Sequence, residues 1–281
     1  MPNQALQLQQ MMKEGQRKAN VLAITSGKGG VGKTNISANL ALCLAAAGQK
    51  TLLIDADFSL GNLDVVMNIN SKYNISHFLN GRKEIKDIIH TGPEGLNIIC
   101  GASGLEQLSN IGEFQRKRMI RQLDQLQNEA DTVIIDTAAG ITKSVVSFCL
   151  SADHVLVVTT PEAAAMTDAY AMIKVLAGNK YDGKISVVVN IADSVAEGKK
   201  TYQHIAYVAK RFLNADIYNA GVLLRDEQLL SAIRQRRAVV LAYPKSRTTT
   251  SLVALAAKLV NSSAAKCNNG NFFKKFVEWF F

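Results

Sequence analysis

The sequence has little cysteine, and its cysteines are not spaced for metal binding or for a dense set of disulfides. The four are Cys43, Cys100, Cys149 and Cys267. No Cys-x-x-Cys pair and no histidine cluster accompanies them. The pattern therefore indicates neither a zinc site nor a disulfide framework, and it is typical of a protein in a reducing cytosol.

Long hydrophobic runs are also absent. No apolar run reaches the roughly 18 residues that a membrane-spanning helix requires. The N-terminal segment is polar and rich in glutamine, without the apolar stretch of a secretory signal. We therefore expect neither secretion nor insertion across a membrane.

Proline is scarce, with four in 281 residues, and no Ser/Gly linker or internal repeat interrupts the middle of the chain. A hydrophobic fraction of 48% and a charged fraction of 20% are enough for one sizeable core. We predict one domain over residues 20–260. A polar arm (1–19) precedes it, and a linker (261–270) and an aromatic tail (271–281) follow it.

The net charge of +9 fits acidic partners such as a nucleotide, a nucleic acid or an anionic lipid. Many soluble proteins are basic without binding any polymer. The charge alone therefore does not identify the partner, and the local patterns must decide.

Six short runs rich in Val, Ile and Leu alternate with longer stretches of helical length. The runs cover residues 21–24, 51–54, 96–99, 133–135, 155–158 and 185–189, and the helical stretches cover 34–47, 113–128, 163–177 and 194–213. Because the runs are nearly continuous in apolar character, their strands are expected to be covered on both faces. The pattern predicts a doubly wound α/β fold with a mainly parallel sheet.

A Gly-rich segment directly after the first apolar run fits the phosphate-binding pattern GxxxxGK[ST]. It consists of Gly27, Lys28, Gly29, Gly30, Val31, Gly32, Lys33 and Thr34. Glycines let consecutive backbone N–H groups face the phosphates, and the next helix adds the partial positive charge of its N-terminus. Lys33 is expected to reach the β- and γ-phosphates, and Thr34 to bind Mg²⁺. The segment predicts a nucleotide site.

The run at 133–135 ends in Asp136, and an apolar strand that delivers a carboxylate is the Walker B pattern. Asp136 is expected to bind Mg²⁺ through water. Gly140 can bring a backbone N–H close to the γ-phosphate, so that the next segment responds to hydrolysis. The alternative for Asp136 is a helix cap after the strand.

Lys28 is a second lysine inside the loop, and with it the chain resembles the deviant Walker A ATPases of the MinD/ParA group. The resemblance extends over residues 20–281. It implies a P-loop ATPase of the SIMIBI class that uses ATP and Mg²⁺, in which Lys28 crosses to the nucleotide of a partner subunit. ATP would then hold two subunits face to face. The alternative for Lys28 is a solvated lysine on a loop.

The same resemblance assigns roles to residues outside the loop. Asp55 and Asp57, at the end of the second run, match the group's DxD signature; Asp57 would orient the attacking water and Asp55 would lie nearer the metal. Asn190 matches the adenine-recognising position, with a turn-forming asparagine as the alternative, and Asp226 is a candidate near the base or ribose. The predicted catalytic residues are Asp57, Lys28 and Lys33.

The tail can be drawn as an amphipathic helix at about 100° per residue. Its charged side is formed by Lys274, Lys275 and Glu278, and its apolar side by Phe272, Phe273, Phe276, Val277, Trp279, Phe280 and Phe281. Such a helix can lie in the headgroup region with its lysines facing anionic lipid, or it can pack on the protein's own core. The MinD resemblance implies membrane targeting.

Three features favour the flagellar branch of this group, the FlhG/FleN/YlxH type. These are Asn35 after the loop, the segment 56–64, and an N-terminal arm in which Gln4, Ala5 and Leu8 match the branch's DQAxxLR motif. The arm departs from that motif at Asn3 and Gln9. In the branch the motif contacts a signal-recognition-type GTPase; a polar terminus without a partner is the alternative.

The prediction is an ATP-bound homodimer that sits reversibly on the cytoplasmic face of the membrane and engages a flagellar GTPase or a flagellar transcription regulator. Hydrolysis would return it to a cytosolic monomer. A MinD-type division-site regulator and a ParA-type DNA-segregation ATPase are the alternatives. The aromatic tail argues against direct DNA binding. The basic segment 234–237 fits either an acidic partner or a solvated helix end.

Overall fold

A computed structural model of the chain describes residues 19–57, 63–101 and 113–263. Within these ranges the protein forms one eight-stranded sheet with helices on both faces. The strands are β1 (Asn20–Ser26), β2 (Thr51–Ala56), β3 (Ile89–Thr91), β4 (Asn97–Ile99), β5 (Thr132–Ala139), β6 (His154–Thr159), β7 (Lys184–Ala192) and β8 (Tyr218–Leu224).

The described helices are named in chain order. They are α1 (Lys33–Ala46), α2 (Leu63–Met67), α3 (Ile75–Leu79), α4 (Glu113–Glu129), α5 (Lys143–Ser151), α6 (Ala163–Gly178), α7 (Val195–Leu213), α8 (Glu227–Arg234), α9 (Val239–Ala242) and α10 (Arg247–Ser263). Short 3₁₀ turns cover Ile85–Ile88 and Pro93–Gly95.

The strand order is β3-β4-β2-β5-β1-β6-β7-β8, and every neighbouring pair is parallel except β3 with β4. The chain moves from β1 outward in one direction and later, through β6, in the other. This reversal makes the sheet doubly wound, as predicted. Because the strands beside β1 run parallel, their carboxyl ends meet at one edge of the sheet.

The sheet separates two hydrophobic layers. One layer packs the sheet against α3 to α7, and the other packs it against α1, α2 and α8 to α10. Alternate residues of each central strand enter opposite layers, so that Val21 and Ala23 face one layer and Leu22 and Ile24 the other. All four are almost fully buried. Double coverage therefore explains why the strands are continuous apolar runs.

All six predicted strands and all four predicted helices are confirmed, with small differences at their ends. The sequence pattern missed β3 and β8. β3 is a three-residue antiparallel edge strand without a continuous apolar run. β8 carries Asn219 and Gly221 between its apolar residues, and its register with β7 shifts at this point. Both therefore lack the signal on which the other strands were predicted.

Candidate active site

The Gly-rich segment forms a loop between β1 and α1, at the carboxyl edge of the sheet. Gly30 and Gly32 adopt φ angles of +80° and +87°, the left-handed region that glycine enters without a steric penalty. Gly32 is the residue that precedes α1. The loop therefore delivers the chain directly to a helix N-terminus, where backbone N–H groups and the helix dipole favour an anion.

Two glycines of the loop are required by close neighbours. A Cβ atom at Gly27 would lie 2.3 Å from the backbone oxygen of Asp168 in α6, and one at Gly32 would lie 2.4 Å from Nδ2 of Asn190. Both distances are shorter than carbon atoms tolerate. The loop is thus packed against α6 and the end of β7, which fixes its path.

Lys33 and Asp136 form a buried ion pair beneath the loop. Lys33 Nζ lies 3.5 Å from Asp136 Oδ1, and their side chains are 8% and 1% exposed. The Ser37 hydroxyl donates to the same oxygen at 2.8 Å. Burial raises the pKa of Asp136, although the charge of Lys33 and the hydroxyl of Ser37 act against this rise. α1 and β5 therefore bring together the predicted phosphate-binding lysine and the predicted Walker B carboxylate.

Asp55 lies directly beside Asp136, because β2 and β5 pair these two residues in register. Burial and the neighbouring negative charge of Asp136 raise the pKa of Asp55 to about 7. The backbone N–H groups of Asp57 and Leu63 donate to Asp55 and partly offset that rise. Two carboxylates held close at low exposure favour a proton or a cation between them.

These groups fit a magnesium ion. Asp136 Oδ2 is buried and accepts no hydrogen bond from the residues that the structure describes, so a hard oxygen ligand is left over at this point. The Thr34 side chain interacts with the same carboxyl group, and Asp55 adds a second one. Nowhere in the described part of the chain do three His, Cys, Asp or Glu side chains cluster as a metal site. Mg²⁺ commonly takes one or two protein carboxylates and completes its shell with phosphates and water.

Asp57 follows β2 at the same edge, and its backbone N–H donates to Asp55 Oδ1 at 3.0 Å. The residues directly after it, 58–62, lie outside the described part of the chain. The structure thus places Asp57 next to Asp55, one of the two buried carboxyl groups. Its role toward water stays a prediction.

Lys28 lies at the outer rim of the loop. Its Nζ atom is 2.9 Å from Oε2 of Glu162, the residue before α6, and the two side chains are 42% and 68% exposed. The Ser26 hydroxyl donates to the backbone oxygen of Lys28 at 2.9 Å and supports this part of the loop. Lys28 therefore points away from the buried Lys33 and toward the protein surface.

Gly140 directly follows β5 with a φ angle of +93°, and its N–H donates to the Ser26 carbonyl oxygen at 2.9 Å. This N–H could make its predicted contact with a γ-phosphate only after its hydrogen bond to Ser26 is broken. Breaking that bond would change the start of the segment leading to α5.

Asn190 is buried at the end of β7, where its Nδ2 donates to the Val31 carbonyl oxygen at 2.8 Å. In this arrangement the side chain braces the phosphate loop. Contact between Asn190 and adenine stays a prediction.

Asp226 has a structural role that the sequence did not indicate. It is the N-cap of α8 and accepts from Gln228 N at 2.9 Å, while its other oxygen accepts from Thr248 N at 3.0 Å. Partial desolvation raises its pKa, but these hydrogen bonds outweigh that effect, so the pKa lies below its usual value. Both carboxylate oxygens are thus engaged in fixing α8 to the start of α10, and proximity to the base stays a prediction.

A cavity of about 370 Å³ adjoins the loop at its outer side. Its wall contains residues that the sequence reading missed, namely Thr160, Pro161, Glu162, Ile191, Asp193, Glu197 and Arg225. Asp193 and Arg225 form an ion pair of 3.0 Å at its mouth. Most of the lining follows the ends of β6, β7 and β8. The residues after β6 and β7 could have been found from the predicted strands. Arg225 follows β8, which was not predicted.

Several predicted residues lie outside the described part of the chain. They are the arm residues Gln4, Ala5 and Leu8, and the tail residues Phe272, Phe273, Lys274, Lys275, Phe276, Val277, Trp279, Phe280 and Phe281. Among the residues that are described, no helix is both long and apolar enough to cross a bilayer.

Comparison with known proteins agrees with the geometry. The family model AAA_31, an AAA domain, matches residues 19–200. The chain is 38% identical over 258 residues to the antiactivator FleN of Pseudomonas aeruginosa, with 92% of each chain covered. It is 34% identical over 270 residues to the flagellum site-determining protein YlxH of Helicobacter pylori, covering 93% of this chain and 91% of that protein.

The fold has a solved counterpart in the septum site-determining protein MinD of Pyrococcus horikoshii, determined with Mg-ADP. The two share a TM-score of 0.72 at 23% identity, over 89% of this chain and 99% of the other. The family match covers the whole phosphate site, and the two relatives align over nearly their full lengths. The chain therefore belongs to the AAA_31 family as a MinD/ParA-type P-loop ATPase of the FleN and YlxH type, which hydrolyses ATP with Mg²⁺.

Proposed function

We propose that this ATPase regulates the number or placement of flagella, and that it acts as an ATP-bound homodimer at the membrane. The observation that carries the proposal is the identity of 38% to the antiactivator FleN over 92% of both chains, together with the second loop lysine, Lys28. The likeness to YlxH over a similar share of the chain supports the same pathway.

The site suits phosphoryl transfer, which needs positioning and charge neutralisation rather than a covalent nucleophile. Lys33 supplies positive charge beneath the loop, and the helix N-terminus of α1 supplies more. Asp136, Asp55 and Thr34 would hold Mg²⁺, which when bound neutralises charge on the phosphate oxygens. Asp57 would orient the water that attacks. Turnover is expected to be slow until a partner completes the site.

Dimerisation is supported by the position of Lys28. Its ammonium group stands at the outer rim, where, among the described residues, it pairs with the exposed Glu162 of the same chain. Exposed ion pairs contribute about 0–1 kcal/mol, so the interaction is easily exchanged. Lys28 can therefore leave Glu162 for a phosphate of a nucleotide held by a second subunit.

Membrane association is assigned to the aromatic tail, residues 271–281. A single short amphipathic helix binds lipid weakly, whereas two tails on one dimer act together through their effective concentration. ATP occupancy would thus be converted into membrane occupancy. Hydrolysis would separate the subunits and return each to the cytoplasm.

The partners in this proposal are a signal-recognition-type flagellar GTPase, a flagellar transcription regulator, or both. The arm residues Gln4, Ala5 and Leu8 are the candidate contact for the GTPase. The name antiactivator, carried by FleN, favours a transcription regulator as the target of this chain too.

The test is deletion of the gene, followed by electron microscopy of flagella and cell division. Extra or misplaced flagella with normal division support the proposal. Minicells with normal flagellation would instead indicate a role in division-site selection, to which the MinD relatives point. A chromosomal copy that encodes Asp57→Ala serves as the control for ATP hydrolysis.

A further inference from the structure

The positive charge of the chain is concentrated in its last part. Residues 228–281 contain nine of the 32 Lys and Arg residues but only one of the 23 Asp and Glu residues, Glu278. They therefore carry +8 of the net charge of +9. The preceding 227 residues, which include the nucleotide site, are nearly neutral. Such asymmetry indicates an anionic partner for the C-terminal part.

Much of this charge is exposed around the end of α8. Arg234, Arg236, Arg237 and Lys245 are all exposed, and within the part of the chain that the structure describes none of them forms an ion pair. A helix C-terminus attracts one or two cations through its dipole. The helix dipole therefore accounts for at most two of these four exposed cations.

Apolar side chains stand beside these cations. Leu230 and Ile233, one turn apart on α8, are 50% and 41% exposed, whereas Ala232 of the same helix is fully buried. The helix is thus anchored by one side and presents aliphatic groups to solvent on the other. We name Leu230, Ile233, Arg234, Arg236 and Arg237 the α8 patch.

One arginine of the patch occupies a position that usually belongs to glycine. Arg236 has a φ angle of +51°, and the N–H groups of Arg236 and Arg237 donate to the carbonyl oxygens of Ile233 and Ala232. These bonds form a Schellman ending, in which glycine avoids the cost of the left-handed conformation. Glycine would serve the fold equally well or better here, so the backbone conformation does not require the arginine side chain.

The patch also lies on the face of the sheet from which the C-terminal tail departs. Both α8 and α10 pack into the same hydrophobic layer, on the opposite side of the sheet from α6 and α7. The chain continues from α10 into residues 264–281, which carry three more lysines and the aromatic tail. The α8 patch and the tail thus belong to one basic C-terminal part of the chain.

We propose that the α8 patch is a second membrane contact, in which Arg234, Arg236 and Arg237 bind anionic phospholipid headgroups and Leu230 and Ile233 enter the interfacial layer. The proposal rests on the membrane association proposed above for the tail. A lipid surface accepts both kinds of side chain at once. Duplex DNA would use the arginines but not the exposed aliphatic pair.

The experiment measures vesicle binding of the full-length protein with ATP and Mg²⁺. Vesicles of pure phosphatidylcholine are compared with an equal mixture of phosphatidylcholine and phosphatidylglycerol. The test variant carries Arg234→Gln, Arg236→Gln and Arg237→Gln. The matched control carries Lys174→Gln, Lys199→Gln and Lys200→Gln, which removes the same charge from exposed positions on α6 and α7.

The arginine variant should lose about tenfold or more in affinity for the anionic vesicles, since each basic residue near such a surface contributes roughly a factor of five. The control should change by less than about twofold. Equal losses in both variants would reduce the effect to net charge and overturn the proposal. Unchanged vesicle binding by the arginine variant, with lost binding to a short duplex DNA, would overturn it in favour of nucleic acid.

Two further variants separate this proposal from that of the tail. Phe276→Ser with Trp279→Ser should abolish vesicle binding if the tail is the main anchor. If this variant fails to bind while the arginine variant binds normally, the tail proposal stands and the α8 patch is refuted. Arg236→Gly should keep or raise the melting temperature while weakening binding to anionic vesicles, and unweakened binding by this stably folded variant would also contradict the proposal.

Discussion

The phosphate loop has buried charges at its inner end and exposed charges at its outer rim. At the inner end, Lys33, Asp136 and Asp55 are buried, strand register pairs the two aspartates, and burial raises the pKa of both carboxyl groups. At the outer rim, Lys28, Glu162, Asp193 and Arg225 meet as exposed ion pairs. Buried charges respond strongly to the loss of a partner, whereas exposed pairs contribute little. The buried charges of the inner end thus suit phosphoryl transfer. The exposed ion pairs of the rim can be exchanged readily for other partners.

The largest expected effect comes from the residue proposed to act on water. Asp57→Ala should lower the rate of ATP hydrolysis by about 100-fold or more, because an oriented general base or water-positioning group contributes on that scale. ATP binding and dimerisation should persist, since Asp57 is assigned to neither. Phosphate release measures the rate of hydrolysis, and mass photometry measures the fraction of dimer. A variant that stays monomeric in saturating ATP would contradict the assigned role.

The buried carboxylate pair predicts a pH dependence of stability. Between its ordinary value near 3.8 and its folded value of about 7, Asp55 binds more protons in the folded than in the unfolded protein. Stability without nucleotide should therefore fall as pH rises through this window, by something on the order of 2–4 kcal/mol. Below it, this contribution is constant.

Asp55→Asn should remove most of that dependence. The melting temperatures of the nucleotide-free protein at pH 5 and pH 8 should then differ by several degrees less than in the wild type. Asp57→Asn, which alters the neighbouring carboxyl outside the buried pair, serves as the control. An unaltered difference in Asp55→Asn would show that another group causes the pH dependence.

A smaller effect is expected where a charge only caps a helix. Asp226→Ala should lower the free energy of unfolding by about 1 kcal/mol, since it removes the N-cap of α8 and the bond to Thr248. Asp226→Asn retains an acceptor for the cap and should cost less. Chemical denaturation measures both. If instead Asp226→Ala leaves stability unchanged and selectively weakens ATP binding, Asp226 belongs to the nucleotide site.

The smallest effect is expected at the rim. Glu162→Gln removes the partner of Lys28 within the chain, and an exposed pair of this kind is worth roughly a factor of two in an equilibrium. Dimers in ATP should therefore form slightly more readily, by about twofold, as measured by sedimentation. Glu197→Gln, on the same cavity wall, is the control. A large loss of dimer in Glu162→Gln would mean that Glu162 itself takes part in the interface.

The sequence predicted the inner end better than the rim for a physical reason. Lys33 and Asp136 belong to local patterns, a glycine loop before a helix and an apolar run before a carboxylate, so each was visible in a short window. Asp193 and Arg225 are far apart in the chain and meet only because β7 and β8 end at the same edge. Their pairing could not be predicted without β8. Asn219 and Gly221 interrupt the apolar run by which that strand would have been recognised.

Asn190 and Asp226 show a second limit of sequence reasoning. Asn190 matched an adenine-recognising position and Asp226 was a candidate near the base or ribose, but neither prediction says which backbone groups their side chains bind. Asn190 holds the Val31 carbonyl, and Asp226 holds α8 and the start of α10. Such bonds depend on tertiary packing, which residue spacing does not encode.

The role of Lys28 in joining two subunits is tested by the oligomeric state of Lys28→Ala. Wild-type protein and variant are compared by analytical ultracentrifugation with ATP and Mg²⁺, and ATP binding is measured on the same samples. Both proteins should bind ATP, and only the wild type should form dimers. Equal dimers in both proteins, or monomers in both despite bound ATP, would contradict the claim that the rim lysine joins two subunits through nucleotide.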